Sequence, residues 1–215
     1  MIDRILVGTT SADKLREIAQ ILTGLPVTLV SPHEVGKFPP LLEDRRTFQE
    51  NACKKALVLS RHFRMPVMAE DAGLEVDCLG GRPGVRSHRY AGPEATDAEN
   101  NVKLLAELEG TPLENRAARY RSAIALAEPD GVLFVVEGSC EGRIVEQAAG
   151  TGGFGYDPLF FYPPLGVTFG QLDARIKNQV SHRAGALGQF RRQLERLFEA
   201  PSPSPSSDAA STTGS

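Results

Sequence analysis

The sequence predicts an α/β protein: a mixed central sheet flanked by helices, with an extended antiparallel lobe. Three observations carry that expectation. An apolar run at the start leads into an amphipathic helix, the βα opening of a parallel sheet. Two β-rich runs, Arg119 to Ala127 and Val132 to Val145, flank Pro129-Asp130-Gly131 and read as a long hairpin. Periodic helical segments stand before and after these runs.

In order, Arg4 to Gly8 (RILVG) reads as a buried strand. A helix follows, with Leu15, Ile18, Ile21 and Leu22 on one face, closing at Gly24. Pro26 to Val30 is a second strand, and Ser31 to Arg46 is a Pro- and Gly-rich loop. Thr47 to Phe63 is a helix, with Phe48, Ala52, Ala56, Leu59 and Phe63 spaced by fours and threes. Val67 to Ala69 reads as a short buried strand that gives way to a loop at Glu70-Asp71, with Gly73 as breaker and Leu74 to Cys78 as a second β-like segment. Thr96-Asp97-Ala98-Glu99 is a capping box for a helix reaching Gly110. Beyond the hairpin comes a loop from Ala148 to Pro158. Ser181 caps a last helix whose face is Ala184, Leu187, Phe190, Leu194 and Leu197. One domain over 1–200 is expected, and the Pro/Ser-rich stretch 201–215 is expected to be disordered. There is no internal repeat.

At 215 residues, with 41% hydrophobic and 24% charged side chains, the chain has the makeup of a soluble globular protein with a real core. A net charge of −3 without a basic block argues against binding a nucleic-acid polymer or a membrane surface, but not against binding a nucleotide. Cys53, Cys78 and Cys140 are dispersed, which suggests buried free thiols in a reducing compartment. No apolar run approaches membrane-spanning length, and Met1 to Arg4 lacks a signal-peptide pattern, so the cytoplasm is the expected location.

Four segments could carry chemistry. Thr9-Thr10-Ser11-Ala12-Asp13-Lys14 joins a strand to a helix N-terminus, where free N–H groups and Lys14 suit a phosphate. Capping by Ser11 with a solvated Lys14 is the plainer reading, and Asp13 competes for the same positive field. The acids Glu43, Glu70 and Asp71 form the second set. Adjacent strand residues face opposite ways, so Glu70 and Asp71 must do different jobs. Mg²⁺ is held by one or two carboxylates, waters and substrate phosphates, and a carboxylate left partly free can take a proton from water. Surface pairing of these acids with Arg45 and Arg46 is the alternative. Lys55, on the flank of its helix, either snorkels or reaches into a cleft.

The third segment is Gly150 to Pro158 (GTGGFGYDP), which lacks the GxGxxG register of a dinucleotide loop. Phe154 and Tyr156, embedded with Gly155 among glycines, can stack on a planar base, and Asp157 can accept from ring N–H groups. A structural turn is the competing view. The fourth segment is Ser181-His182-Arg183 with Lys177 upstream, donors that favour an oxygen over an amino group on a purine edge. Solvated basic residues in a first helical turn would look the same.

Together, the stretches TFQENACKKA, AEDAGLEVDCLGGRPGVRSHRYAG, AGTGGFGYDP and SHR resemble the inosine triphosphate pyrophosphatase family over roughly residues 4–198. The resemblance implies two lobes around a nucleotide cleft, usually in a homodimer. It implies Mg²⁺-dependent hydrolysis of inosine and xanthosine triphosphates, and their deoxy forms, to monophosphate and pyrophosphate. By position, Asp71 resembles the proton acceptor and a metal contact, and Glu43 the second metal carboxylate, with Glu70 in support. Thr9 to Lys14 matches the triphosphate loop. Phe154 to Asp157, Lys177, His182 and Arg183 match the nucleotide-binding positions, and Lys55 the approach to phosphate. The family loop reads Thr-Gly-Asn-x-Gly-Lys, so both glycines are replaced here, and the usual Ser after the acid pair is Ala72. The expectation is retained chemistry with altered triphosphate affinity or substrate preference. Two alternatives stand beside it: a septum-formation-inhibitor (Maf) type pyrophosphatase of modified pyrimidine nucleotides, and a nucleotide-binding protein with little turnover.

Overall fold

A computed structural model of the protein describes residues 2–199. The stretch 201–215, expected to be disordered, lies outside the described residues.

Seven strands form one sheet in the order β2-β1-β3-β4-β5-β6-β7. Strand β1 (Arg4–Val7) pairs in parallel with β2 (Thr28–Val30) and β3 (Val67–Val76). The strands β4 (Ala117–Glu128), β5 (Gly131–Ile144), β6 (Phe160–Tyr162) and β7 (Val167–Thr168) continue antiparallel. The expected mixed sheet and long hairpin are both present.

Side-chain alternation decides what covers each face. On one face Met68, Ile124, Leu126 and Val136 pack against α1 (Ala12–Ile21) and α6 (His182–Glu199) through Ile18, Leu187, Phe190 and Leu194. On the other face Ala69, Ala123, Ala125 and Ala127 lie under α3 (Phe48–Phe63), against Phe48, Ala52 and Ala56. Small residues on both partners let that helix approach the sheet closely. A further core around Leu74, Tyr120, Phe160 and Phe169 fills the antiparallel lobe beneath α4 (Asp97–Glu107), which contributes Leu104.

The expected break after Ala69 does not occur. β3 runs on through Glu70, Asp71 and Gly73, because β4 pairs with it without interruption from Val67↔Ala127 to Val76↔Ala118. Gly73 is a packing residue: a Cβ there would lie 2.4 Å from Ser87 Oγ and 2.6 Å from the Gly84 carbonyl. β1, however, stops at Val7↔Met68. Glu70 and Asp71 therefore sit just past the carboxyl end of a parallel neighbour, where α/β sheets open their crevices.

Two further differences concern segments that lack a strong period. A short helix, α2 (Pro32–Val35), interrupts the loop before α3, closed by a capping box between Ser31 and Glu34. Another, α5 (Ala174–Val180), precedes α6 and carries Lys177. Ser181 does cap α6, its Oγ accepting from Ala184 N at 3.1 Å, but the buried face is Ala186, Leu187, Phe190 and Leu194, with Leu197 exposed. Of the cysteines, Cys140 is buried and Cys78 is exposed, against the expectation that all are buried. Among the described residues no helix is long and apolar enough to cross a membrane.

Candidate active site

A cleft of about 430 Å³ opens where β1 ends, between the α1 side of the sheet and the antiparallel lobe. Its lining draws on all four segments singled out in the sequence, across more than 170 residues of chain.

Thr9, Thr10, Ser11, Asp13 and Lys14 line one wall, whereas Ala12 does not reach it. Ser11 caps α1, its Oγ accepting from Lys14 N at 3.4 Å, so the capping reading holds for that residue. Lys14 is not solvated: its ammonium lies 3.5 Å from Glu70 Oε2. Burial pushes its pKa down, partly offset by Glu70. Asp13 is drawn outward by Arg16, 3.1 Å away.

Asp71 and Glu43 both face the cleft. Asp71 is only 5% exposed, and its Oδ2 accepts from Asn51 Nδ2 at 2.9 Å. Burial first, and the neighbouring Glu43 carboxylate second, push its carboxyl up to about 6. Burial also opposes ionisation of Glu43, but Lys55 and Arg89 overcome it and hold that carboxyl below its ordinary value. Glu43 does not pair with Arg45 or Arg46. Lys55 bonds its carboxylate and also donates to the Glu70 carbonyl at 2.9 Å, while Arg89 donates to the Glu43 carbonyl at 2.6 Å. Lys55 thus reaches into the cleft and does not snorkel. The Ala72 methyl lines the cleft beside Asp71.

Glu70 is not a companion to these acids. Alternation turns it to the α6 face, where it accepts from Arg183 Nε at 2.9 Å and from Ser122 Oγ at 2.7 Å. Although buried, it is held well below the usual carboxylate range by Arg183 and Lys14. It pairs with the cations Arg183 and Lys14.

At the other end stand Phe154, Gly155, Tyr156, Asp157, Lys177, His182 and Arg183. Asp157 is not a free acceptor. Its Oδ2 takes Lys177 Nζ at 2.6 Å and Phe154 N at 2.8 Å, and its Oδ1 takes the Tyr120 hydroxyl at 3.2 Å. Tyr156 is tied down as well, its hydroxyl donating to the Ser87 carbonyl at 2.7 Å. Phe154 is the half-buried ring, with Lys177 Nζ 4.5 Å from its centroid. Arg183 is held by Glu70 and Glu17, not aimed freely into the cleft. His182 stacks on Tyr120 with centroids 4.7 Å apart, and its buried Nδ1 has no partner. Burial and the adjacent Arg183 push its pKa well down, so the ring is neutral.

Two polar residues that matter here do not stand out in the sequence. Asn51 bridges Asp71 and the backbone N of Arg45, at 3.0 Å, and so joins β3 to the loop that carries Glu43. Its signal is an amide on the core-facing side of a helix, next to Ala52, where it must find buried partners. Glu17 bridges Lys177, at 3.2 Å, and Arg183. It has no local signal, because both partners are far along the chain.

The donor set fits a hard divalent cation. Two carboxylates face one cleft, and burial first and the Glu43 charge second raise the Asp71 carboxyl, a strain that a bound cation would relieve. Among the described residues no three His, Cys, Asp or Glu side chains form a metal cluster, so a phosphate-bearing ligand would complete the shell, as Mg²⁺ sites commonly require.

Residues 5–193 match the family model described as the Ham1 family. A dITP/XTP pyrophosphatase of Geobacter sulfurreducens is 49% identical over 191 residues, which cover 89% of this chain and 96% of that one. A protein of the same description from Geobacillus kaustophilus is 46% identical over 193 residues, 90% of this chain and 95% of that one. Among solved structures, the Staphylococcus aureus Ham1 protein superposes with a TM-score of 0.82 at 33% identity, over 91% of this chain and 100% of that one. A HAM1 protein of Coxiella burnetii gives 0.81 at 35% identity with the same coverage.

Proposed function

Because the chain belongs to the Ham1 family, we propose that it is a nucleoside triphosphate pyrophosphatase that hydrolyses inosine, deoxyinosine and xanthosine triphosphates to the monophosphate and pyrophosphate. The observation that supports this reading best is the polarity of the cleft. A carboxyl raised to about 6 and in no ion pair stands at one end, and a neutral imidazole with a buried, unpartnered Nδ1 at the other.

The purine lies with its ring on Phe154 and its six-position edge toward His182. A neutral imidazole can donate one ring N–H to an oxopurine's six-position oxygen, and because the neutral ring can also accept, the bias toward oxygen rests on the cations beside it. An adenine amino group faces the wrong partners, and buried groups left unpaired are the strongest source of discrimination. Lys177 and Arg183 add positive potential that favours an oxygen there.

The triphosphate runs toward Thr9 to Lys14, where the α1 N-terminus and the Lys14 and Lys55 ammonium groups compensate its charge. Glu43 and Asp71 would hold Mg²⁺, which neutralises phosphate oxygens when bound. Asp71 accepts the proton of the attacking water, its orientation fixed by Asn51. In this reading the enzyme acts as a homodimer in the cytoplasm, clearing altered purine nucleotides from the pool.

Pyrophosphate release from inosine, xanthosine, adenosine and guanosine triphosphates with Mg²⁺, with Asp71→Asn as control, tests it. The expected result is a preference for the inosine and xanthosine substrates of at least about a hundredfold in kcat/KM, with turnover lost in the variant. Equal use of adenosine triphosphate, or an undiminished rate in Asp71→Asn, would overturn it. Tight binding without release would point instead to a nucleotide-binding protein.

A further inference from the structure

We propose that Asp97 and Asn101, on one face of α4, are positioning residues that fix the Phe154 ring and so set base discrimination. The inference rests on the nucleotide reading above and names what holds the base end of the cleft.

Gly155 lies between the two aromatic residues of the Gly-rich loop, in the left-handed region at φ 63°. A Cβ there would meet nothing within 4 Å, so glycine is required by conformation and not by space. Such a residue is also the point at which the loop would pivot most freely. α4 removes that freedom from outside. The Gly155 N–H donates to Asp97 Oδ2 at 2.6 Å, and Asn101 Nδ2 donates to the Gly155 carbonyl at 3.0 Å. A spacing of four places both side chains on the same helix face. A residue held at both its N–H and its C=O cannot swing, and the ring before it keeps its direction.

The Asn101 amide adds a second observation. Its Oδ1 is buried with no partner. Turning the amide over would set that oxygen against the Gly155 carbonyl, so the contact to Gly155 alone sets the orientation. α4 itself is a fixed base for this grip. Asn100 accepts from Ala91 N at 2.8 Å and donates to the His88 carbonyl at 3.1 Å, docking the helix on the far wall of the cleft. Tyr156 has its own anchor at Ser87, and Asp157 is held by Lys177. Phe154 is held by its backbone N–H on Asp157 and by Lys177 and Arg183 over its ring, and the two side chains of α4 fix the residue that follows it.

Calorimetric titration of inosine and adenosine monophosphates into the full chain reads this placement without turnover. Asp97→Ala and Asn101→Leu are each expected to weaken inosine monophosphate binding about tenfold, the worth of one hydrogen bond involving a charged or buried polar group. Adenosine monophosphate binding should change by less than about threefold, so the affinity ratio narrows. Asp97→Asn keeps an oxygen facing the Gly155 N–H and should stay within about twofold of wild type. Equal weakening of both nucleotides, no change in either, a loss shared by Asp97→Asn, or failure of both Asp97→Ala and Asn101→Leu to fold would each overturn the proposal. If the wild type binds inosine monophosphate selectively yet releases no pyrophosphate from the triphosphate, the hydrolase reading fails and this one stands.

Discussion

Asp71 is the residue on which acid–base chemistry and stability meet. Its carboxyl stands at about 6 in the folded protein, against 3.8 when unperturbed. A folded-state value above the unfolded one means that the folded protein binds the proton more tightly, so stability falls as pH rises between those values. Once ionised, the group costs up to roughly 3 kcal/mol in metal-free protein. Asp71→Asn is therefore expected to raise the melting temperature at pH 7.5 by about 3–8 °C, with the gain gone by about pH 4. Melting curves in metal-free buffer across that range check the sign; a variant destabilised at pH 7.5 would show that the Asn51 bond outweighs burial. Asp13 is the opposite kind of residue, half-exposed and already paired with Arg16. Its carboxylate repels a triphosphate only through solvent-screened charge, so Asp13→Gly should lower KM for inosine triphosphate about threefold and leave kcat unchanged. An unchanged KM would mean that the departure from the family loop carries no electrostatic consequence.

At the scale of elements, what places the base end is the contact of α6 with β5. Gly138 makes that contact possible: a Cβ there would lie 2.2 Å from the His182 carbonyl and 2.5 Å from Ala186 N. Gly138→Ala is expected to push the first turn of α6 off the sheet, costing roughly 2–3 kcal/mol as overpacking does, and lowering kcat/KM about tenfold because His182 moves with it. Chemical denaturation and steady-state kinetics on the same variant check both. This example also shows which elements could be read from the sequence. α3, the hairpin and α6 carry their own period or turn chemistry, so local pattern was enough to find them. The sequence alone breaks β3 after Ala69, because two acids followed by Gly73 look like a loop, and only the closeness of Gly73 to Ser87 and Gly84 explains why the strand needs it. α5 leaves no local signal because its side chains follow no apolar stripe; it is set by the Asp173 cap and the burial of Lys177. In the cleft, the segments were legible but the pairings were not. Glu70 and Arg183 look like free ligand groups until the fold gives them to each other, and Asp157 does until the fold brings Lys177 to it.

Those pairings extend through the whole molecule. A chain of buried ionic contacts runs from Lys14 to Glu70, Arg183, Glu17, Lys177 and Asp157, linking α1, β3, α6, α5 and the Gly-rich loop. It joins the two ends of the cleft through the protein interior, behind the space a nucleotide would fill. Glu17 is its centre, the one anion shared by Arg183 and Lys177. Both cations are at least 95% buried and neither can be resolvated in place, so removing their shared partner leaves charge stranded in a low-dielectric interior. Breaking a buried pair in this way costs roughly 3–5 kcal/mol, whereas an exposed pair contributes about 1 kcal/mol or less. The molecule supplies its own control on the same helix, since Asp13–Arg16 is an exposed pair one turn before Glu17. Glu17→Ala is expected to lower the melting temperature by about 6–15 °C, and Asp13→Ala by less than about 3 °C. Added salt at 1 M should leave the first difference nearly intact, because buried charges are poorly screened. Thermal unfolding of the two variants side by side decides the matter. Equal shifts would mean that Lys177 and Arg183 are satisfied without Glu17, and that the two ends of the cleft are held independently.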